Sequence, residues 1–146
     1  MSRAIHVPGA IFDSRPYGFA QVAIVPTPFG NVVHVSGQVA WDTEQRIVGA
    51  GDIGRQLEKS LENLAVVLES VGATLDQVGA LRLYIKQSHL HEGKAISGAL
   101  RAKFGDTQPC STWIGGPSLA DEDFLIEVEL SPVLLMSRAA EPMRLA

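Results

Sequence analysis

Apolar positions in the chain repeat with two different periods. Residues 19–25 and 32–36 are runs rich in β-branched side chains and read as strands. Pro26-Thr27-Pro28-Phe29-Gly30-Asn31 between them reads as a hairpin loop, and a second turn falls at 42–45. Asp52 then stands where a helix N-cap belongs. Behind it Ile53, Leu57, Leu61, Leu64, Leu68 and Val71 recur at steps of three and four, with Gly72 to close the helix. In residues 78–86 the period drops to two: Leu81, Leu83 and Ile85 face one way, Arg82, Tyr84 and Lys86 the other. Ile96, Leu100 and Phe104 mark a second helix over 90–104, stopped by Gly105. A short strand is expected at 110–114, a turn at Gly115-Gly116-Pro117, and a last strand at 125–133 in which Ile126, Val128 and Leu130 alternate with Glu127 and Glu129.

The resulting order is β-β-α-β-α-β-β in one domain over residues 1–146, with an irregular start at 1–15 and a weakly ordered tail at 137–146. Two helices cover one face of a sheet this size. The other face then carries His34, Ser36, Arg82, Tyr84, Glu127 and Glu129. It is either wetted or closed over by another subunit.

Composition favours the second choice. Apolar residues make up 46% of the 146 and charged residues only 19%, so some weakly polar surface is expected to be covered by a further copy. The net charge of −4 and the absence of a basic run argue against nucleic acid. One cysteine, Cys110, excludes an intrachain disulfide and suits a reducing compartment. Without a signal-like or membrane-length apolar stretch, a cytoplasmic protein that needs no membrane is the expectation.

Several local patterns resolve into ordinary structure. Gly49-Ala50-Gly51-Asp52-Ile53-Gly54 matches a dinucleotide fingerprint in letters, but a polar turn precedes it and Glu69 lies inside the helix, so these glycines read as helix-entry residues. His89, His91 and Glu92 read as a solvated helix start, since residues two apart on a helix do not face each other; no metal is expected. Cys110 reads as a small buried residue. Glu127 and Glu129 share one strand face, roughly 6–7 Å apart, too far to share a proton but close enough to line one cleft; from this strand alone a solvated sheet face is the first reading.

Pro16-Tyr17, Val33-His34-Val35 running into Ser36-Gly37-Gln38, Gln56, Asn63, Gly72-Ala73-Thr74-Leu75-Asp76-Gln77-Val78, Pro109 and Ile126-Glu127-Val128-Glu129 occur in one order. Together, from about Pro16 to Val133, they resemble the RidA/YjgF family of enamine and imine deaminases. The resemblance implies a chorismate-mutase-like α+β fold, a homotrimer with small-molecule pockets at its subunit boundaries, and no cofactor. In members that deaminate 2-imino acids, the strand after the second helix opens with Pro-x-Arg-Ser. The arginine clamps the substrate carboxylate, and a glutamate on the last strand positions water. Here the stretch is Pro109-Cys110-Ser111-Thr112, so Ser111 stands in place of the arginine, and Trp113 follows where smaller residues are usual. Glu127 and Tyr17 match, Arg15 replaces the glycine before Pro16, and Ser97 stands for the second helix's asparagine.

An arginine grips a carboxylate through two charge-assisted hydrogen bonds, whereas a serine offers one neutral donor. The exchange should cost about 2–4 kcal/mol in a semi-buried site, which makes simple 2-imino acids poor substrates unless Arg15 or Arg82 supplies the charge. Two readings stand. In one, Glu127 is catalytic and hydrolyses an imine, enamine or related C–N bond, with Tyr17, Ser36, Gly37, Ser111, Thr112 and Trp113 around the substrate. In the other, the same scaffold binds a small ligand without turnover. Ribonuclease activity, sometimes attached to this family by name, fits the acidic balance poorly.

Overall fold

The computed structural model describes residues 2–136. Seven strands and two helices follow in the order β1 (Ala4–His6), β2 (Val22–Thr27), β3 (Gly30–Val35), α1 (Ile53–Glu69), β4 (Ala80–Lys86), α2 (Gly93–Phe104), β5 (Cys110–Gly116), β6 (Ile126–Leu130) and β7 (Val133–Met136). One sheet runs β1-β2-β3-β7 and the other β5-β4-β6; only β4 and β5 are parallel, joined by the α2 crossover. Beyond β3, the Gln38 N–H and C=O bond the Val128 C=O and N–H at 2.8 and 2.9 Å, linking the two sheets. Val33 with Val133 and Gln38 with Val128 belong to one antiparallel register, so β6 and β7 are a single path interrupted at Ser131-Pro132. The expected strand 125–133 is therefore two strands, separated by a residue that has no N–H to give.

Both helices lie on one side, and the fold is α+β, chorismate-mutase-like. Leu81, Leu83 and Ile85 from β4 and Ile126, Val128 and Leu130 from β6 meet Ile53, Leu57, Leu61, Leu64 and Leu68 of α1 in one core. Asp52 accepts the Arg55 N–H at 3.0 Å and starts α1 as its N-cap. At the far end the helix stops at Glu69, ahead of Val71. Gly72, at φ +80°, turns the chain so that the Ala73 N–H returns to the Leu68 carbonyl. Gly49 and Gly51, at φ +84° and +73°, form the entry turn.

The structure shifts several expectations. The irregular start contains β1, three exposed residues added to the edge of β2, a segment too short to show a period. The hairpin loop is a two-residue turn: Pro26 pairs with Asn31 and Thr27 with Gly30. The proline is tolerated because β1 does not extend past Ile24, so no partner strand needs its N–H. Thr27 Oγ1 donates to the Gly30 carbonyl at 2.7 Å and fixes the turn. α2 begins at Gly93, after a 3-10 turn at Gln87–His89. Off the helix, the His89 and His91 rings do stack, 6.4 Å apart. β5 runs through Gly115 and Gly116 where a turn was expected. Cys110 is exposed, not buried, because β5 is an edge strand and Cys110 shares with Ala80 the face away from the helices. The tail 137–146 lies outside the described residues. Among those described, no helix is long and apolar enough to cross a membrane.

Candidate functional site

Helix α1 carries polar residues among its buried positions, and they set the walls of a cavity. The Gln56 amide donates to the Asp123 carbonyl at 3.0 Å and accepts the Leu125 N–H at 2.9 Å, fixing the chain as it enters β6. About two turns further on, Asn63 donates to the Val39 and Trp41 carbonyls at 3.0 and 2.9 Å. These two clamps hold Phe124 and Trp41, whose rings meet at 4.9 Å and 68°. Trp41 also stands edge-on to Phe12, at 5.0 Å and 87°. Phe12 is held in turn by a buried chain in which Gln38 donates to Gln21 (2.9 Å) and Gln21 to the Phe12 carbonyl (3.3 Å).

The space between these elements is a cavity of about 450 Å³ that also receives Tyr17, Phe19, Gly37, Asp121 and Glu127. Among the described residues, no basic side chain lines it. Tyr17 stands at the rim, 58% exposed, its ring 6.2 Å from Trp41 and its hydroxyl accepting from Gln45 Nε2 at 2.7 Å. Gln45 reaches it from a left-handed turn at φ +61°.

Glu127 projects from β6 opposite Tyr84 and makes no hydrogen bond or ion pair with the described residues. Its neighbour Glu129 is engaged, 2.5 Å from Arg82 Nε and 3.1 Å from the Tyr84 hydroxyl. Partial burial raises the Glu127 pKa above the ordinary carboxylate value, and the charge of Glu129 adds to the rise. Gly37 makes the room: a β-carbon there would sit 2.2 Å from Glu127 Oε1. Such a carboxylate, half out of water and unpaired beside an aromatic-walled space, is equipped to take up and return a proton.

The remaining singled-out residues lie elsewhere in the subunit. Ser36 spends its hydroxyl on the Ala20 carbonyl at 2.7 Å and does not line this cavity. Ser111 lines a second cavity of about 300 Å³, with Leu81, Ser97, Leu100, Arg101, Phe104, Gln108 and Pro109. Trp113 lies on the same strand face and donates to Ser111 Oγ at 3.2 Å, while Thr112 faces the opposite way beside Arg82. The two cavities share no residue. A wider depression of about 770 Å³ along β1 contains neither Glu127 nor Ser111. Neither arginine considered as a substitute clamp is available: Arg82 is held by Glu129, and Arg15 grips both carboxylate oxygens of Asp13 at 2.8 Å. The sequence pattern did not disclose Phe12, Trp41, Asp121 or Phe124, which stand outside the helices and long strands.

Comparison with known proteins agrees with this architecture. Residues 15–133 match the model of the family described as endoribonuclease L-PSP. A RutC family protein of Pyrococcus abyssi is 31% identical over 100 residues, covering 68% of this chain and 76% of its own. A structure of a Rid-family protein of unknown function from Yersinia pestis is 31% identical, covering 92% of this chain and all of its own, with a TM-score of 0.66. A putative endoribonuclease from Thermotoga maritima is 26% identical over 94% of this chain and 100% of its own, with a TM-score of 0.75. With the ordered motifs, the crossover topology and the matched segment in agreement, the chain belongs to the RidA/YjgF family.

Proposed function

We propose that this protein hydrolyses a C–N bond of a small imine or enamine, in a site completed between the subunits of a homotrimer. The observation that carries this reading is Glu127, an unpaired, half-buried carboxylate with a raised pKa, at the wall of an aromatic cavity of about 450 Å³. Glu127 takes a proton from water as the oxygen adds to the imine carbon and passes it to the nitrogen, giving a neutral carbinolamine. It then takes the carbinolamine hydroxyl proton and delivers it to nitrogen as the C–N bond breaks, so imine and water become a carbonyl compound and ammonia. An enamine enters the same sequence after tautomerising to its imine. Tyr17 and Trp41 exclude water from the apolar part of the substrate.

The trimer is the natural means of uniting the two cavities. The Ser111 cavity of one subunit would cover the Glu127 cavity of its neighbour, and the exposed β5 edge would be sheltered at that contact. With serine on β5, the standard strand-borne grip on a 2-imino acid is missing, which sets this protein apart from the ordinary 2-imino acid deaminases. RNA is not the proposed substrate, since no basic side chain among the described residues lines the Glu127 cavity.

The test is ammonia release from freshly generated imines, 2-iminobutanoate and carboxylate-free analogues among them, by the parent and by Glu127→Gln. Turnover by the parent and its loss in the variant support the reading; equal rates overturn it. A second reading, a ligand-binding protein without turnover in the same cytoplasmic setting, is favoured by Ser111 itself, because the side chain that grips substrate in deaminating relatives is the one replaced. Saturable binding with no ammonia from any imine would establish it.

A further inference from the structure

We infer that Arg101 is the anion-recognition residue of this protein, gripping the carboxylate of a small substrate from helix α2. Four observations lead there. Arg101 lies one helical turn after Ser97, so the two side chains share a face of α2 and line the same cavity. Across that cavity, on β5, is Ser111; its oxygen accepts from Trp113 Nε1, leaving the hydroxyl hydrogen to donate. Among the described residues, every polar side chain lining the cavity — Ser97, Arg101, Gln108 and Ser111 — can donate a hydrogen bond, and none is acidic. Finally, Arg15, Arg46, Arg55 and Arg82 each have a carboxylate within reach, whereas Arg101 has none among the described residues.

The rest of the lining fixes the kind of anion. Leu81, Leu100, Phe104 and Pro109 give the cavity an apolar floor, and its volume is about 300 Å³. A single guanidinium with neutral donors suits a monoanion, and a planar carboxylate matches its paired N–H groups. A dianionic phosphate would leave charge uncompensated there. The ligand is therefore a carboxylate with a short apolar body. Recognition has moved from the strand to the helix, so the carboxylate approaches from a different direction than a strand arginine would impose. As an assignment of substrate class this rests on the proposed C–N hydrolysis; as an assignment of a binding site it does not.

The experiment separates the two. Binding of 2-oxobutanoate, a stable keto acid, is measured by ligand-detected NMR on the intact protein, on Arg101→Gln and on Ser111→Ala, with Arg3→Gln as a control for general surface charge and butanone as the uncharged probe. The expected result is saturable binding of the keto acid, weakened about tenfold or more in Arg101→Gln, less in Ser111→Ala and not at all in Arg3→Gln. Butanone should not distinguish the variants. Equal affinity in Arg101→Gln overturns the assignment, as does tighter binding of inorganic phosphate than of the carboxylate, or no keto-acid binding by the parent. Arg101 is exposed, so a folding failure is not expected, and the circular dichroism of the variant checks this. Keto-acid binding that depends on Arg101, with no ammonia released from any imine, would leave the site standing and remove the hydrolytic reading alone.

Discussion

The carboxylate of Glu127 fills the space that a β-carbon on Gly37 would need: the two would be 2.2 Å apart. Gly37 has no positive φ, so the glycine serves here for room and not for backbone freedom. Gly37→Ala should therefore fold, because the obstructing atom is the far end of a flexible side chain, but it should push the carboxylate out of place. A misplacement of about 1 Å can cost on the order of 100-fold in rate. Ammonia-release kinetics together with a melting curve check both halves; a variant as fast as the parent would show that the carboxylate's position is not critical.

Titration of Glu127 should appear in stability as well as in rate. Its folded-state pKa is raised by burial and by Glu129, so the native protein binds this proton more tightly than the unfolded chain does. The stabilisation is complete below the ordinary carboxylate pKa and is lost as pH rises through the folded value. At neutral pH the charge is thus a burden, and Glu127→Gln should melt higher by about 1–3 °C, the partial exposure limiting the gain. The difference should disappear in acid. Melting temperatures between pH 4 and pH 8 (roughly the range spanned by carboxylate and neutral titrations) decide it. In the parent, the rising limb of kcat/KM should lie above that of an unperturbed glutamate.

Asn63→Ala would leave the Val39 and Trp41 carbonyls without their donor in the interior. The cost should be about 1–3 kcal/mol, read from urea unfolding. Because Trp41 would no longer be held, its fluorescence should also change under conditions where the variant is still folded. A loss of stability with unchanged indole emission would separate the clamp from the cavity wall.

The proposed assembly predicts an apparent solution mass near three times the chain's 15.6 kDa. Cys110, exposed in the single subunit, should react slowly with thiol reagents in the assembled protein and faster once dilution separates the subunits. Rapid labelling at every concentration would mean that β5 is not covered.

Legibility differed between regions for physical reasons. Ile53 through Leu68 were readable because one face of α1 is buried along its whole length, and burial imposes the period. β4 alternates cleanly because helices cover only one of its faces. β5 carries no such record: nearly all of it is accessible in the subunit, so no face constrains its residues and the strand runs on through glycines that read as a turn. Glu127 could be placed because it sits on a patterned strand. The aromatic wall could not, since Phe12, Trp41 and Phe124 come from connecting segments where spacing says nothing about direction. One signal was available. Gln56 and Asn63 stand beside Leu57 and Leu64, where the helical period calls for the core; amides there need backbone partners, and those partners are the segments that build the cavity.

The Gln56 clamp binds the cavity to the helix in time as well as in space. Leu125 offers its backbone N–H to Gln56 Oε1, a group buried on α1. Exchange of that amide hydrogen with solvent deuterium requires α1 to lift away from the sheet, not a loop to flutter. Its protection should follow that of the central α1 amides, so that the entrance to β6 opens only when a large part of the core opens with it.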